Sequence, residues 1–337
     1  MKLFITGANG FLGSAVVTSA IDHGHQVVAM VRDAQKFVSP VPKADLTVVQ
    51  GDLRSPAAWQ PALSECDAVI HLAASFTDFH SQFASTVQGT EQLLAAMTAT
   101  TVNRIVLVST FSIYDYRALA TGAALDETSP LEARPQDLDD YTKTKLVQEQ
   151  LVNDFAVTGG KVTVLRPGAI YGPGKMWDAG MTLKLSGSTW LAIGPNIRQK
   201  LTFVDNCAEA IVLAAQTDAA IGQVFNIVDD ETPTQREYTR AMKSAGYPMP
   251  VGIPLPFRMV RAGASLIDTV NRRRYQGRAK IPWYAVPAKL DQRFKQLDYP
   301  NAKAKQLLNW TPRFSLAQGI AESLRRERAS AASRAAH

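Results

Sequence analysis

Two side chains able to move a proton lie four positions apart in "DDYTKTK", Asp139 to Lys145. Residues at i and i+4 share one face of a helix, so the Tyr141 phenol and the Lys145 ammonium would stand on the same side. A free phenol has a pKa of ~10 and is a poor base at neutral pH, whereas a neighbouring cation favours its ionised form. The same spacing also occurs in helices that do no chemistry, opened by an Asp and solvated along their first turn. What separates the two cases is whether the chain sets a reactive molecule against that face.

"TGANGFLG", Thr6 to Gly13, supplies a place for one. It follows the strand pattern "KLFI" directly and opens an apolar-periodic helix, with two residues between successive glycines at Gly7, Gly10 and Gly13. Such a loop gives a tight turn, close backbone approach to a pyrophosphate, and close helix–strand packing. The helix N-terminus then offers free N–H groups to the phosphate charge. Gly7, Asn9, Gly10, Phe11, Leu12 and Gly13 are therefore candidate contacts for a dinucleotide. "GDLR" follows the third strand, where Asp52 can accept from an adenine amino group and Leu53 lies beside it. Asp52 reads equally as a turn or helix cap. "HLAA" ends the fourth strand, and its Leu72, Ala73 and Ala74 are small or apolar enough for backbone to pass close beneath the cofactor.

The end of the second strand bears on which dinucleotide is taken. A ribose without a 2′-phosphate is usually held by an acid about 20 residues beyond the glycines. Here "GHQVVAMVRD" has Val31 near that point, followed by Arg32, with Lys36 one turn later. A guanidinium suits a phosphate, so NADP(H) is expected over NAD(H). Asp33 is either the acid displaced by two positions or a helix cap.

The elements that must position these groups are legible as an alternation. Strand patterns at "KLFIT", "QVVAMVR", "LTVVQ", "DAVIHLA", "RIVLVST" and "KVTVLRP" are separated by helical stretches such as Phe11 to Gly24 and Ser85 to Thr100. Continuous apolar strands between helices imply a parallel sheet covered on both faces. The expected fold is α/β, a doubly wound parallel sheet (Rossmann) with a smaller C-terminal substrate lobe. Residues 1–167 would form the dinucleotide-binding domain, with 200–228 returning to it, and 168–199 and 229–327 the substrate lobe. The last residues, 328–337, read as a flexible basic tail.

At 337 residues, 46% apolar and 20% charged, the chain reads as a globular protein with a large core. Its two cysteines, Cys66 and Cys207, fit a reducing compartment. The histidines His23, His25, His71, His80 and His337 do not cluster at metal-ligand spacing, so no metal is expected. The net charge of +6 sits largely in "NRRRYQGRAK" and "RRERASAASR" and carries no nucleic-acid reader motif. No signal peptide and no run of ~18 apolar residues is present, which gives a cytoplasmic expectation.

In order, "TGANGFLG", "GDLR", "HLAA", "LVSTFSIY", "YTKTK" and "LRPGAIYGPG" resemble the extended short-chain dehydrogenases/reductases, the NAD-dependent epimerase/dehydratase superfamily. The resemblance runs from Met1 to about Leu324 and implies a homodimer through the helix that bears Tyr141. It makes Tyr141 the general acid/base and Lys145 its partner, which also donates to the nicotinamide ribose and lowers the phenol's pKa. It makes Thr110 the hydroxyl that meets the substrate oxygen, with Ser109 as fallback. Pro167, Gly168 and the backbone through Ile170 would flank the nicotinamide.

Three departures narrow the reaction. Arg166-Pro167-Gly168-Ala169 lacks the asparagine that holds a diphosphate in sugar-nucleotide epimerases. Thr110 is followed by Phe111 and Ser112 rather than the acids of the 4,6-dehydratases. Thr86 stands where the family's "NVxGT" has asparagine, which removes one supporting hydrogen bond. The remainder resembles the branch of 3β-hydroxysteroid dehydrogenases and dihydroflavonol-type reductases, with Met176, Trp177, Met181, Trp190, Phe257, Trp283 and Tyr284 as candidate lining of an apolar pocket. The expected activity is hydride transfer at a hydroxyl or ketone of an apolar small molecule. A nucleotide-sugar epimerase and a dinucleotide-sensing binding protein are the alternatives. "PFRMVRAGASLIDTVNRRR" reads as a helix covering the cleft rather than one resting on a membrane, because Arg258 and Arg261 interrupt its apolar run.

Overall fold

The computed structural model describes residues 1–39, 43–177, 184–186, 189–276 and 278–335. Strands β1 (Lys2–Thr6), β2 (Gln26–Val31), β3 (Leu46–Gln50), β4 (Ala68–His71), β5 (Arg104–Val108) and β6 (Lys161–Pro167) form where apolar and β-branched residues run together. Successive side chains point to opposite faces. Leu3 and Ile5 thus enter one core with Val16, Val17 and Ile211, while Phe4 enters another with Trp59, Leu93 and Val152. Both faces of β1, β2, β4, β5 and β6 are buried, which is why these strands read as continuous apolar runs, whereas the edge strand β3 is largely exposed beyond Leu46.

Among the described residues the main sheet holds seven strands, all parallel, in the order β11-β6-β5-β4-β1-β2-β3, where β11 is Val224–Ile227. Helices α1 (Phe11–Asp22) and α4 (Val204–Gln216) pack together over one face. Helices α2 (Gly89–Thr98) and α3 (Asp140–Val157) cover the other. The segment after residue 200 divides its loyalties. Its α4 and β11 join the first sheet, whereas β10 (Leu201–Phe203) pairs with β7 (Ala169–Tyr171) apart from it.

The smaller lobe carries a second sheet of β8 (Lys184–Ser186), β9 (Thr189–Ile193) and β12 (Val251–Leu255). Around it lie α5 (Gln235–Ser244), α6 (Phe257–Tyr275) and α7 (Pro287–Phe294). Two further helices, α8 (Ala302–Leu308) and α9 (Leu316–Ala335), close the chain.

Two elements differ from expectation. The helix expected over Ser85 to Thr100 starts earlier, with a turn at Phe79–Gln82 and a wide π-helical stretch over Phe83–Gln88 ahead of α2. The tail expected to fray from Arg328 is helical to Ala335. Its alanines favour helix, and Arg325 and Arg326 pair with Glu322 one turn back while Arg326 also reaches Asp205.

One buried ion pair fixes α3 against the sheet. Arg166 on β6 donates Nε and Nη2 to the two carboxylate oxygens of Glu149, at 3.0 and 2.7 Å, with both side chains almost fully buried. Its guanidinium also lies 4.8 Å from the Tyr114 ring. Glu149 sits one turn after Lys145 and two after Tyr141, so the pair holds that helix face inward.

Candidate active site

The strand order reverses between β1 and β4, and in doubly wound sheets a ligand binds outside the carboxyl ends at that point. Thr6 and His71, the last residues of the two strands, are register partners there. The glycine loop sits directly above. Gly7 has φ +71°, and a Cβ on it would come within 2.9 Å of the Ala73 nitrogen. A Cβ on Gly13 would stand 2.1 Å from the Gly7 carbonyl oxygen, so only glycine lets α1 approach β1 this closely. Gly10 caps α1 in extended conformation without a side-chain hydrogen bond, and the first turn holds no acid. Backbone N–H groups at that end are thus available to an anion. Phe11 packs over Gly172 and Val204, and Leu12 joins the same apolar border. These features fit a dinucleotide's pyrophosphate.

At the end of β2, Asp33 is a cap: its carboxylate accepts from the Gln35 backbone nitrogen at 3.0 Å and pairs with Lys36 at 3.0 Å. The Lys36 ammonium beside it holds that carboxyl below its ordinary range. Asn9 reaches the Lys36 carbonyl oxygen at 3.5 Å, which draws this loop to the glycine turn, and Arg32 is exposed next to it. Asp52 forms a turn with Arg54, accepting from its guanidinium at 2.6 and 3.0 Å and from its backbone nitrogen at 2.9 Å. Arg54, and more weakly Arg32, keep its carboxyl low. Leu53 is buried under the sheet edge against Gly89.

Asp139 caps α3 by accepting from the Thr142 nitrogen at 2.9 Å, which starts the helix one residue before Tyr141. The Tyr141 ring is half-buried and stacks on exposed Phe76, centroids 4.9 Å apart at 27°. Burial pushes its phenol up to about 12, and the hydroxyl of Thr110 offsets part of that rise. Thr110 therefore stands beside Tyr141. Its oxygen accepts from the Ser112 nitrogen and its hydroxyl donates to Ser112 Oγ, each at 3.1 Å. Ser109 faces the interior instead, buried and without a hydroxyl partner among the described residues.

Lys145 departs from expectation. Its ammonium donates to the Val108 carbonyl oxygen at 2.7 Å and to Gln148 Oε1, and burial lowers its pKa to about 8, partly offset by Glu149. The Tyr141 phenol is governed instead by burial of its ring and, in the other direction, by the Thr110 hydroxyl. An ammonium has three N–H donors, so one remains for a third acceptor.

Gln148 continues the chain of contacts. Its Nε2 lies 2.8 Å from Thr90 Oγ1, 3.1 Å from His71 Nε2 and 3.4 Å from the Thr86 carbonyl oxygen. His71 in turn meets Thr90 at 2.9 Å and Thr6 at 2.7 Å, and Thr6 Oγ1 accepts from the Ala73 nitrogen at 3.3 Å. Burial lowers the His71 pKa to about 3, so its ring is neutral at physiological pH. One buried polar seam thus runs from Lys145 to the glycine loop. It also supplies a contact at Thr86, where the sequence lacks the expected asparagine.

Pro167 ends β6, and Gly168 follows with its nitrogen bonded to the Ile227 carbonyl oxygen at 3.0 Å. A Cβ on Gly168 would come within 2.3 Å of the Lys200 carbonyl oxygen, so the backbone through Ile170 lies pressed against the segment entering β10. Across the cleft, Gln292 on α7 donates to the Ser112 carbonyl oxygen at 2.7 Å and toward Thr142 at 3.4 Å.

Sequence reasoning missed Gln148, Phe76 and Gln292. Gln148 carried a usable signal, since it lies three residues from Lys145 and so on the same helix face. The expected pocket lining is corrected in part: Met176 and Trp190 are fully buried in the second lobe's core, and Phe257 and Trp283 pack against another cluster there. Trp177 packs on the Trp190 ring, Tyr284 is exposed, and Met181 lies outside the described residues.

A family model of the NAD dependent epimerase/dehydratase family matches residues 3–228. The chain belongs to this family. Its members are NAD(P)-dependent enzymes, and the chain is similar to named dehydrogenases and reductases within it. It is 29% identical over 342 residues to a 3 beta-hydroxysteroid dehydrogenase/Delta 5→4-isomerase of Mycobacterium tuberculosis, covering 96% of this chain and 89% of that protein. It is 30% identical over 262 residues to a 2-alkyl-3-oxoalkanoate reductase of Stenotrophomonas maltophilia, covering 73% and 76%. Among solved structures, a UDP-glucose-4-epimerase from Stenotrophomonas maltophila with bound NAD superposes with a TM-score of 0.75 at 21% identity, covering 99% of both chains. That likeness establishes the family's fold here.

The seam makes a direct prediction. Gln148→Ala removes a hydrogen-bond partner from a buried ammonium and should cost about 1.5–3 kcal/mol of stability in urea unfolding. Stability equal to wild type would mean the bridge carries no weight.

Proposed function

We propose that the chain is an NADP(H)-preferring oxidoreductase that moves a hydride between nicotinamide and a hydroxyl or ketone carbon of an apolar small molecule, sterol-, flavonoid- or acyl-like. The observation that carries this reading is the half-buried Tyr141 phenol, flanked by Thr110 and stacked on Phe76, on a helix that a buried polar seam joins to the glycine loop.

When bound, the dinucleotide supplies or accepts the hydride. The protein's part is the proton and its geometry. A phenol held at about 12 keeps its proton at neutral pH and can deliver it to a carbonyl oxygen as charge develops there. Thr110 Oγ1 supports the same oxygen. Lys145, steadied by Val108 and Gln148, has a donor left for the nicotinamide ribose. Gly7, Asn9, Gly10, Phe11, Leu12 and Gly13 would hold the pyrophosphate, and Asp52, Leu53, Leu72, Ala73 and Ala74 the adenosine side. Pro167, Gly168 and Ile170 would border the nicotinamide. Arg32 and Lys36 would receive the 2′-phosphate, a reading supported by Asp33 being spent as a cap.

The apolar-substrate class is supported by exposed Phe76, which stacks on Tyr141, with exposed Phe79 and Phe83 packed on each other a few residues further along. Phe111 and Ala169 stand where acids or an amide would serve elimination or a sugar diphosphate. A cytoplasmic homodimer paired through α3 belongs to the same reading.

A screen of ketones and alcohols, followed at the reduced-nicotinamide absorbance band, tests it. Net absorbance change with an apolar ketone is the expected result. Interconversion of a nucleotide sugar without net change would replace this reading with an epimerase, and binding without turnover with a sensor. Removing a charge-assisted phosphate contact costs about 1.5–3 kcal/mol, so Arg32→Ala should reduce the NADP(H)/NAD(H) preference about tenfold or more in kcat/KM. An unchanged ratio would displace the phosphate from Arg32.

A further inference from the structure

Helix α6 turns an apolar stripe to solvent. Met259 is 71% exposed, Leu266 67%, Ile267 46% and Val270 44%, which is unusual for four large apolar residues on one helix. At about 100° per residue, Met259, Leu266 and Val270 fall on one line down the helix, and Ile267 borders it. The inner face is already used. Phe257, Val260 and Ala264 pack with Ile193, Leu290 and Phe294, and Arg261 makes a two-pronged ion pair with Asp291 of α7 at 2.7 and 2.9 Å.

The arginines that interrupt the apolar run in sequence do not interrupt this face. Arg261 points to the opposite side, into its pair with Asp291, and Arg258 lies on the flank. Arg273 and Arg274, both exposed, extend the stripe at its C-terminal end. The helix's acid, Asp268, is mostly covered, lies on the side opposite the stripe and is held by Arg272 at 2.8 Å. The outer face is therefore apolar along its length and positive at its end, with no carboxylate on it. A surface of the opposite charge with an accessible apolar layer is the complement, which is what an anionic bilayer presents. No helix among the described residues is long and apolar enough to cross a membrane, so such a contact would be superficial.

We propose that α6 docks the protein on anionic lipid surfaces, with Met259, Leu266, Ile267 and Val270 entering the headgroup boundary and Arg273 and Arg274 meeting lipid phosphates. The docking face is one layer from the cleft. Arg272 lies 3.6 Å from Asp137, in the turn that precedes α3, and α7 beneath α6 carries Gln292 to Ser112 and Thr142. An apolar molecule dissolved in the bilayer would reach that cleft without crossing bulk water.

Co-sedimentation with vesicles tests the proposal without turnover. The full chain should bind phosphatidylcholine vesicles mixed with phosphatidylglycerol, bind pure phosphatidylcholine weakly, and lose binding as salt rises. Arg273→Ala with Arg274→Ala should weaken binding to the mixed vesicles about 25-fold, at about fivefold per basic residue. Leu266→Glu with Val270→Glu should abolish it, while dinucleotide-dependent turnover and thermal unfolding stay as in wild type. Absence of wild-type binding, or undiminished binding in both double variants, would overturn the assignment. Light scattering that shows a wild-type dimer split by Leu266→Glu with Val270→Glu would overturn it too, by giving the face to a second copy.

Discussion

Lys145 carries its ammonium into a site almost closed to water, and a charge there is tolerated only where protein dipoles replace its hydration. The Val108 carbonyl at the end of β5 and the Gln148 carboxamide one turn along α3 provide two of those dipoles. Because Val108 belongs to the sheet, and Gln148 is itself tied to His71 and Thr90, the helix has little freedom to slide or rotate against the sheet. Tyr141, one turn earlier on the same face, inherits that position. The Arg166–Glu149 pair one turn later on that face adds a second tie to the sheet, at β6. Burying such groups costs stability unless each is satisfied, and the continuous run of partners from Lys145 through Gln148 and His71 to Thr6 satisfies them.

The seam ends where the sheet reverses direction. Thr6 and His71 close β1 and β4 side by side, and the Thr6 hydroxyl takes the Ala73 nitrogen that Gly7 must clear. The phosphate-binding turn and the proton-handling face are thus set by one hydrogen-bonded array rather than by two independent loops. Gln292 ties α7 to the Thr110–Ser112 turn and to the first turn of α3, so the lobe that would choose the substrate is anchored beside the group that would protonate it.

Much of this was legible in the sequence, and the limits were physical. Strands buried on both faces announce themselves as unbroken apolar runs, and β1 through β6 fall within the expected segments. The glycine loop was readable because its backbone can be built from no other residue at Gly7 and Gly13. Asp33 had two readings, and the fold uses its carboxylate as a cap. The wide turn at Phe83–Gln88 has no compositional mark; the Thr86 carbonyl within it accepts from Gln148 of α3 at 3.4 Å. Gln148 looked like an ordinary helix amide because its partners beyond α3 come from two distant segments, β4 and the helical stretch around Thr86 and Thr90. In the second lobe, aromatic and methionine residues could line a pocket or fill a core, and Met176 and Trp190 fill the core. Arg261 lies inside an apolar run, and which way its side chain turns was not legible from spacing alone; it pairs with Asp291.

The central claim is that the Tyr141 phenol exchanges the proton that accompanies hydride transfer while the dinucleotide is held by other groups. Turnover and dinucleotide affinity, measured together in wild type and Tyr141→Phe, test it most directly. Loss of general acid–base catalysis predicts a fall in kcat of about 10²–10⁴-fold with affinity nearly unchanged. A Tyr141→Phe variant that reduces its ketone at the wild-type rate would contradict the account.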